Sequence, residues 1–271
     1  GVSRPVGLNG SRLEVMTHVI TGQTTHVQNV ERTVQAAGRQ LDGMAVGALA
    51  SGLGVLSSDA MDIGCVVVDI GGSTTDVAIF TGGAIAYTAT IPIGAGHVTS
   101  DIATLLKTTT EEAERLKIAH GCALASMVGN DDTVELTQLE SDAPRPMQRR
   151  VLCEICESRM REIGGFIQNH IERSGMNGLL PGGALITGGG SQLYGTEGLM
   201  SDCLRHIKAR AAQPKVVGAA ARAAGNPGMA CAVGLARYSL ESDDQEFAPV
   251  SGNSSWKDKI RTLKSMFGGK S

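Results

Sequence analysis

Cys65-Val66-Val67-Val68-Asp69-Ile70-Gly71-Gly72-Ser73-Thr74-Thr75-Asp76-Val77-Ala78-Ile79-Phe80 decides the fold of this chain. The first six residues, apolar apart from Asp69, have the run of a buried strand. A turn of glycines and hydroxyl residues follows. Alternation resumes at Val77 and Ile79, which predicts a second strand returning beside the first. Gly71 and Gly72 have no Cβ, so a polyphosphate can approach their N–H groups closely. Ser73, Thr74 and Thr75 add hydroxyl donors. Asp69, at the strand end, is placed to hold a magnesium ion through water, because that ion keeps much of its hydration shell. On the turn alone, an ordinary hairpin with an exposed aspartate also remains open.

A second stretch reads in the same way. Ala184-Leu185-Ile186-Thr187-Gly188-Gly189-Gly190-Ser191 is an apolar strand ending in glycines, and residues 197–209 read as a helix after it. In this order the two halves resemble the second phosphate loop and the adenosine loop of the actin-like ATPase superfamily. Three further segments carry a narrower resemblance: Ile91-Pro92-Ile93-Gly94, Val98-Thr99-Ser100-Asp101-Ile102-Ala103 and Ala113-Glu114-Arg115-Leu116-Lys117. With residues 69–80 they resemble the FtsA family of bacterial cell-division proteins, over residues 5–238.

The resemblance implies an α/β chain of the actin-like ATPase (ribonuclease H-like) fold, mainly its second lobe. It implies ATP with Mg2+ as ligand. The residues it assigns to them are Asp69, Gly71, Gly72, Ser73 and Thr74 in the first loop, with Asp69 toward the metal, and Gly188, Gly189, Gly190 and Ser191 in the second. Glu114 and Lys117 sit one turn apart on a predicted helix. As bare residues they read as a solvated charge pair; the resemblance assigns Glu114 to the ribose hydroxyls and Lys117 to stacking near the base.

Composition limits the alternatives. The chain has 271 residues, enough for a sizeable core or a domain of two subdomains. A net charge of −3 with 3% aromatic residues gives no sign of nucleic-acid binding. Six cysteines lack the spacing of a disulfide scaffold, and Cys153 and Cys156 form a CxxC inside a helical pattern without a second pair. They read as reduced thiols. No signal peptide and no apolar run of spanning length is present in the sequence given.

Taken in order, residues 5–22 predict a turn and an alternating strand, and residues 25–37 a helix closed by Gly38. Residues 44–50 predict a short strand entering a small-residue helix at 49–56, and residues 59–63 a polar break. After Phe80 a third strand is expected at 84–93 and a helix at 97–106. Thr108 with Glu111, or Thr109 with Glu112, is a capping box opening a helix that stops at Gly121. Two short strands around Gly129-Asn130-Asp131-Asp132, a loop at 142–146 and a long helix at 147–173 follow. In that helix Gly164-Gly165 marks a bend, and His170 reads as a core-edge residue. Residues 229–238 form the last globular helix.

The expected division is a first-lobe remnant (1–45), second-lobe core (46–105), an inserted partner-binding subdomain (106–178), second-lobe core again (179–240), a flexible linker (241–255) and a terminal helix (256–271). In the tail, Trp256, Ile260, Leu263 and Phe267 fall at i, i+4, i+7 and i+11, flanked by Lys257, Lys259, Arg261 and Lys264. That is the pattern of an amphipathic helix lying in an anionic membrane surface.

No second phosphate hairpin occurs in the first 60 residues, so the expectation is a fragment of a longer protein. At the connection between lobes, Gly47-Ala48 offers no side chain to act as a base. The expectation is therefore nucleotide binding with at most slow hydrolysis. Through the resemblance, the function expected is anchoring of the FtsZ ring to the cytoplasmic face of the bacterial inner membrane at the division site. The partners would be the C-terminal tail of FtsZ, docked on residues 106–176, further copies in an actin-like polymer, anionic lipid and later division proteins. Arg145, Arg149 and Arg150 form a basic cluster suited to an acidic peptide, although a solvated helix start explains them as well. The rival readings are a pilus-assembly actin-like protein, and a sugar-kinase or chaperone-type ATPase of the same superfamily.

Overall fold

A computed structural model describes residues 7, 9, 11, 12, 14, 17–139, 141–216 and 221–242. The chain divides into two compact units. The smaller comprises Ile20–Val46 with the described residues from Tyr238, and the larger comprises Gly47–Arg237 with the described residues up to Val19.

The smaller unit carries α1 (Thr24–Ala36), followed by Gly38 in the left-handed region at φ 69°. The larger unit opens with α2 (Gly47–Val55) and α3 (Ser58–Ile63). β1 (Cys65–Ile70), β2 (Thr75–Thr81) and β3 (Ala84–Ile91) then form an antiparallel meander. After α4 (Ala95–Leu106) and α5 (Thr110–His120), β4 (Thr133–Gln138) and β5 (Ser141–Gln148) make a separate hairpin. The long α6 (Arg149–Arg173) leads back to β6 (Ala184–Thr187), parallel to β1. α7 (Thr196–Cys203) precedes β7 (Ala209–Ala211), parallel to β6. The five-stranded sheet has the order β3-β2-β1-β6-β7. α8 (Ala221–Ala224) and α9 (Ala230–Ser242) complete the described chain.

β1 is covered on both faces, which is why its sequence is an almost unbroken apolar run. Val66, Val68 and Ile70 pack with Val77, Ile79, Ala184 and Ile186 under Ile102, Met160, Ile163 and Leu199 of α4, α6 and α7. Cys65 and Val67 face the opposite way, into a second core with Ala78, Phe80, Leu185, Leu56 and Ala230. Each fully buried branched side chain stabilises the fold by roughly 1.5–3 kcal/mol. α2 and α9 touch through small residues: a Cβ on Gly234 would overlap the carbonyl of Ala50, and one on Gly54 that of Ala230.

Several expectations are corrected. Residues 17–23 are irregular rather than a strand, and Val19 is 73% exposed. Residues 39–46 are irregular rather than a strand leading into α2, and the expected break at 59–63 is helical, with Asp59 in the first turn of α3. Near 122–139 a short 3-10 turn (Ala125–Met127) stands where the first strand was expected. The expected loop at 142–146 is instead the strand β5, whose partner in the two-stranded sheet is β4. The two-stranded sheet is all edge, so Pro144 and Pro146 cost it little. The helix expected at 197–209 stops at Cys203; residues 204–208 turn the chain, and Ala209 already belongs to the edge strand β7. Gly164 is a packing position: a Cβ there would stand 2.7 Å from the Cys203 sulfur of α7. Thr109 is the N-cap of α5, accepting from the Glu112 N–H at 3.1 Å. Glu241 and Ser242, expected to open the linker, are the last residues of α9, and the rest of the linker and the terminal helix lie outside the described residues, with Trp256, Lys257, Ile260, Leu263, Lys264 and Phe267 among them.

Candidate functional site

The turn between β1 and β2 is closed by the Gly71 N–H donating to Thr74 O at 2.9 Å. α4 then grips it from outside. Ala95 N–H donates to Gly71 O and Gly96 N–H to Gly72 O, each at 2.8 Å. These two bonds satisfy donors of the first helical turn that would otherwise lack partners. In a trans peptide the C=O and the following N–H point in opposite directions. Tying the carbonyls of Gly71 and Gly72 to α4 therefore turns the N–H groups of Gly72 and Ser73 away from it. Among the described residues neither N–H has a protein partner, and a Cβ on Gly72 would meet nothing within 4 Å. Gly94 permits the close approach: a Cβ there would stand 2.5 Å from Gly71 O. Thr75, expected to offer its hydroxyl, is buried and donates it to Ile93 O at 2.8 Å.

The parallel pairing of Asp69 with Thr187 brings the second glycine loop beside the first. Gly188 has φ 85°, and a Cβ there would overlap the Asp69 carboxylate and Ile70 O. A Cβ on Gly190 would stand 2.5 Å from Ile70 Cγ2, whereas one on Gly189 would meet nothing within 4 Å. The Ser191 hydroxyl is used within the loop, donating to Gly188 O at 2.7 Å.

Glu114 and Lys117 are joined by a 2.7 Å ion pair, and both engage Thr99 of α4. Lys117 Nζ donates to Thr99 Oγ1 at 2.9 Å and to Ala95 O at 3.3 Å, while the Thr99 hydroxyl donates to Glu114. Burial opposes the charged form of Glu114. Hydrogen bonds from Lys117 and Thr99, with the Lys117 charge, outweigh it and hold the carboxyl below the usual range.

These parts surround one cavity of about 540 Å³. Gly71, Gly72, Glu114, Lys117, Gly189 and Gly190, expected from three separate stretches, all line it. Asp69, Ser73, Thr74, Gly188 and Ser191 do not. Its walls also include Gly96, Arg149, and two exposed side chains the sequence reading passed over, Ile118 (74% exposed) and Tyr194 (60%). Apolar side chains at the end of a charged helix and after a glycine loop were the available signal. Thr99 was missed as a partner of both charges, since nothing local marks it.

Asp69 lies on the α2 side of the sheet, accepting a 2.5 Å hydrogen bond from the Ser51 hydroxyl. Asp76 stands directly opposite it across the hairpin and accepts from Thr90 Oγ1 at 2.6 Å. Burial raises the Asp69 carboxyl above its usual range; the Ser51 bond pulls it down and the Asp76 charge pushes it up again. Two facing carboxylates with hydroxyls are a hard oxygen donor set, the kind that suits a divalent cation such as Mg2+. Asp76 was legible in principle, being equally far from the turn on the returning strand.

The remaining polar expectations resolve locally. Arg149 Nε donates to His120 O at 2.8 Å, and Arg150 bonds Glu154 at 3.2 Å and Asn130 at 2.8 Å, so neither forms part of a bare basic cluster. Cys153 and Cys156 are buried thiols, and burial pushes Cys156 up to about 12. His170 is half-buried, 2.9 Å from the Tyr87 hydroxyl. Among the described residues, no helix is long and apolar enough to cross a membrane.

The fold is that of actin-like ATPases. MreB 5 of Spiroplasma citri bound to AMPPNP superposes with a TM-score of 0.65 over 82% of this chain and 66% of that one, at 15% identity. The cell division protein FtsA of Pseudomonas aeruginosa is 38% identical over 260 residues, covering 96% of this chain and 62% of its own length. That of Escherichia coli K12 is 36% identical over 251 residues, covering 89% and 59%. The chain thus spans about 60% of the length of these relatives. The family model for cell division protein FtsA matches residues 66–234, from the buried strand through both glycine loops to the last described helix. With family model, relatives and fold in agreement, this chain belongs to the FtsA family of cell division proteins.

Proposed function

We propose that this chain carries the nucleotide-binding lobe of a division protein that takes ATP with Mg2+. The observation that carries the reading is the convergence of Gly71, Gly72, Glu114, Lys117, Gly189 and Gly190 on one cavity. Its size is within the range of small-ligand sites, roughly 300–1,000 Å³. Outward N–H groups at Gly72 and Ser73 offer donors to phosphate oxygens. Glu114 is placed to accept from ribose hydroxyls, and Ile118 and Tyr194 offer faces for a base. Asp69, beside Asp76, would hold Mg2+ through water; bound there, the ion neutralises phosphate charge. Gly47 and Ala48 bring no side chain to orient an attacking water, so hydrolysis is slow.

Within the division machinery we assign the chain to tethering: a C-terminal FtsZ tail docks on residues 106–176, the lobe takes part in an actin-like polymer, and the tail with Trp256, Lys257, Ile260, Leu263, Lys264 and Phe267 binds the anionic cytoplasmic face of the inner membrane at the division site. Family membership and the tail's residue pattern support this assignment.

Calorimetry with MgATP tests the site. The chain should bind weakly and in a magnesium-dependent manner. Gly72→Val places a branched side chain in the open space beside the turn and should weaken binding at least about tenfold, or 1.4 kcal/mol. Equal binding by wild type and Gly72→Val would remove the cavity as the nucleotide site.

A further inference from the structure

The cavity has two cationic side chains, and they differ in what they have left to offer. Lys117 spends its ammonium on Glu114, Thr99 and Ala95 O. Arg149, at the start of α6, spends Nε on His120 O, the last residue of α5, where a cation is favoured by the helix dipole. Its other side-chain partners include the buried Cys153 thiol, a weak acceptor, and Asp132, with Nη1 and Oδ2 at the long distance of 3.5 Å. Beyond Nε, the guanidinium fork on the cavity wall is therefore held only by a long ion pair and a weak thiol contact.

Asp132 is the residue before β4. Its carbonyl accepts from the Arg149 N–H at 2.8 Å, and Arg150 Nη1 holds Asn130 at 2.8 Å. The first turn of α6 thus touches the cavity on one side and the entry to the β4–β5 hairpin on the other.

We propose that Arg149 is a ligand contact of this cavity, and that a bound nucleotide draws its guanidinium from Asp132 and so loosens the β4–β5 hairpin. The proposal rests on the nucleotide reading and adds its regulation. A planar guanidinium can stack on a base or donate to its ring nitrogens and to phosphate oxygens. The competing pair is long, its carboxylate is half-exposed and solvent screens it, so a ligand inside the cavity displaces it at little cost. Occupancy of the site is then felt on the surface proposed above for partner docking.

Hydrogen exchange on this chain, with and without millimolar MgATP, tests it. In wild type, nucleotide should slow exchange at residues 71–73 and speed it by about threefold or more across 130–138, as expected for easier local opening. Arg149→Gln should keep the protection at 71–73 and lose the hairpin response. Asp132→Asn should show the faster hairpin exchange before nucleotide is added, with little further change. If Arg149→Gln fails to fold, Arg149→Lys, which keeps the charge without the fork, should show the same loss. A protected turn with an unchanged hairpin in wild type, or an Arg149 variant that responds like wild type, overturns the proposal while leaving the nucleotide site standing. Absence of protection at 71–73 in wild type overturns both.

Discussion

Arg159 of α6 holds Asp101 of α4 in a two-pronged ion pair, Nε to Oδ2 at 2.7 Å and Nη2 to Oδ1 at 2.9 Å. Both side chains are about three-quarters shielded from solvent. The Asp101 hydrogen bonds hold the guanidinium above its ordinary range. α4 also carries Ala95 and Gly96, which fix the carbonyls of the first glycine turn. One pair therefore links α6 to the element that aims the turn's N–H groups.

Arg159→Ala leaves Asp101 shielded and without its bidentate partner. The expected cost is about 1–3 kcal/mol in urea unfolding, between the values for exposed and buried pairs. A double-mutant cycle with Asp101→Ala should return a coupling of about 1 kcal/mol or more. Additive effects would show that the pair contributes geometry without stability.

The glycines of the second loop should differ sharply. Gly188→Ala forces a Cβ into the Asp69 carboxylate at positive φ and should cost more than about 1 kcal/mol. Gly189→Ala meets open space and should fold with near wild-type stability. Equal thermal midpoints for the two variants would contradict the close packing at Gly188.

Asp69 predicts a pH effect with a definite sign. Its carboxyl is raised in the folded state, chiefly by burial, so the native chain binds the proton more tightly than the unfolded one. Its ionisation therefore costs stability as pH rises from the unfolded value through the folded one. Asp69→Asn, which keeps an acceptor for Ser51, should melt higher than wild type at pH 8. The gap should close as pH falls into the ordinary carboxylate range. In calorimetry the same variant should lose the magnesium dependence of ATP binding. A lower midpoint at pH 8 would show that the carboxylate stabilises the fold.

The tail predicts lipid binding. A peptide of residues 253–271 should bind anionic vesicles with a blue shift of Trp256 fluorescence, since each cation near such a surface contributes roughly 1 kcal/mol. Replacing Trp256 and Phe267 with Glu should abolish it. Equal binding by both peptides, or none by wild type, would sink the tether.

Elements whose residues interact locally were legible from the residues alone. β1, its glycine turn and β2 were legible because burial on both faces demands an apolar run and a turn demands glycine. α5 was legible because Thr109 and Glu112 cap it through groups three residues apart. The identity of the two glycine loops as one site was also readable, through their resemblance to a known family.

Tertiary structure alone decided the rest. β5 and β7 were misread because a strand of a two-stranded sheet tolerates prolines, and a three-residue edge strand has too few side chains to show a period. Thr99 and Arg149 entered the site through partners on α5 that lie 15 and 29 residues away in the chain. Which glycine must be a glycine was decided the same way: Gly188 and Gly189 are adjacent and identical in sequence, and the Asp69 carboxylate and Ile70 carbonyl packed against Gly188, with its positive φ, set them apart.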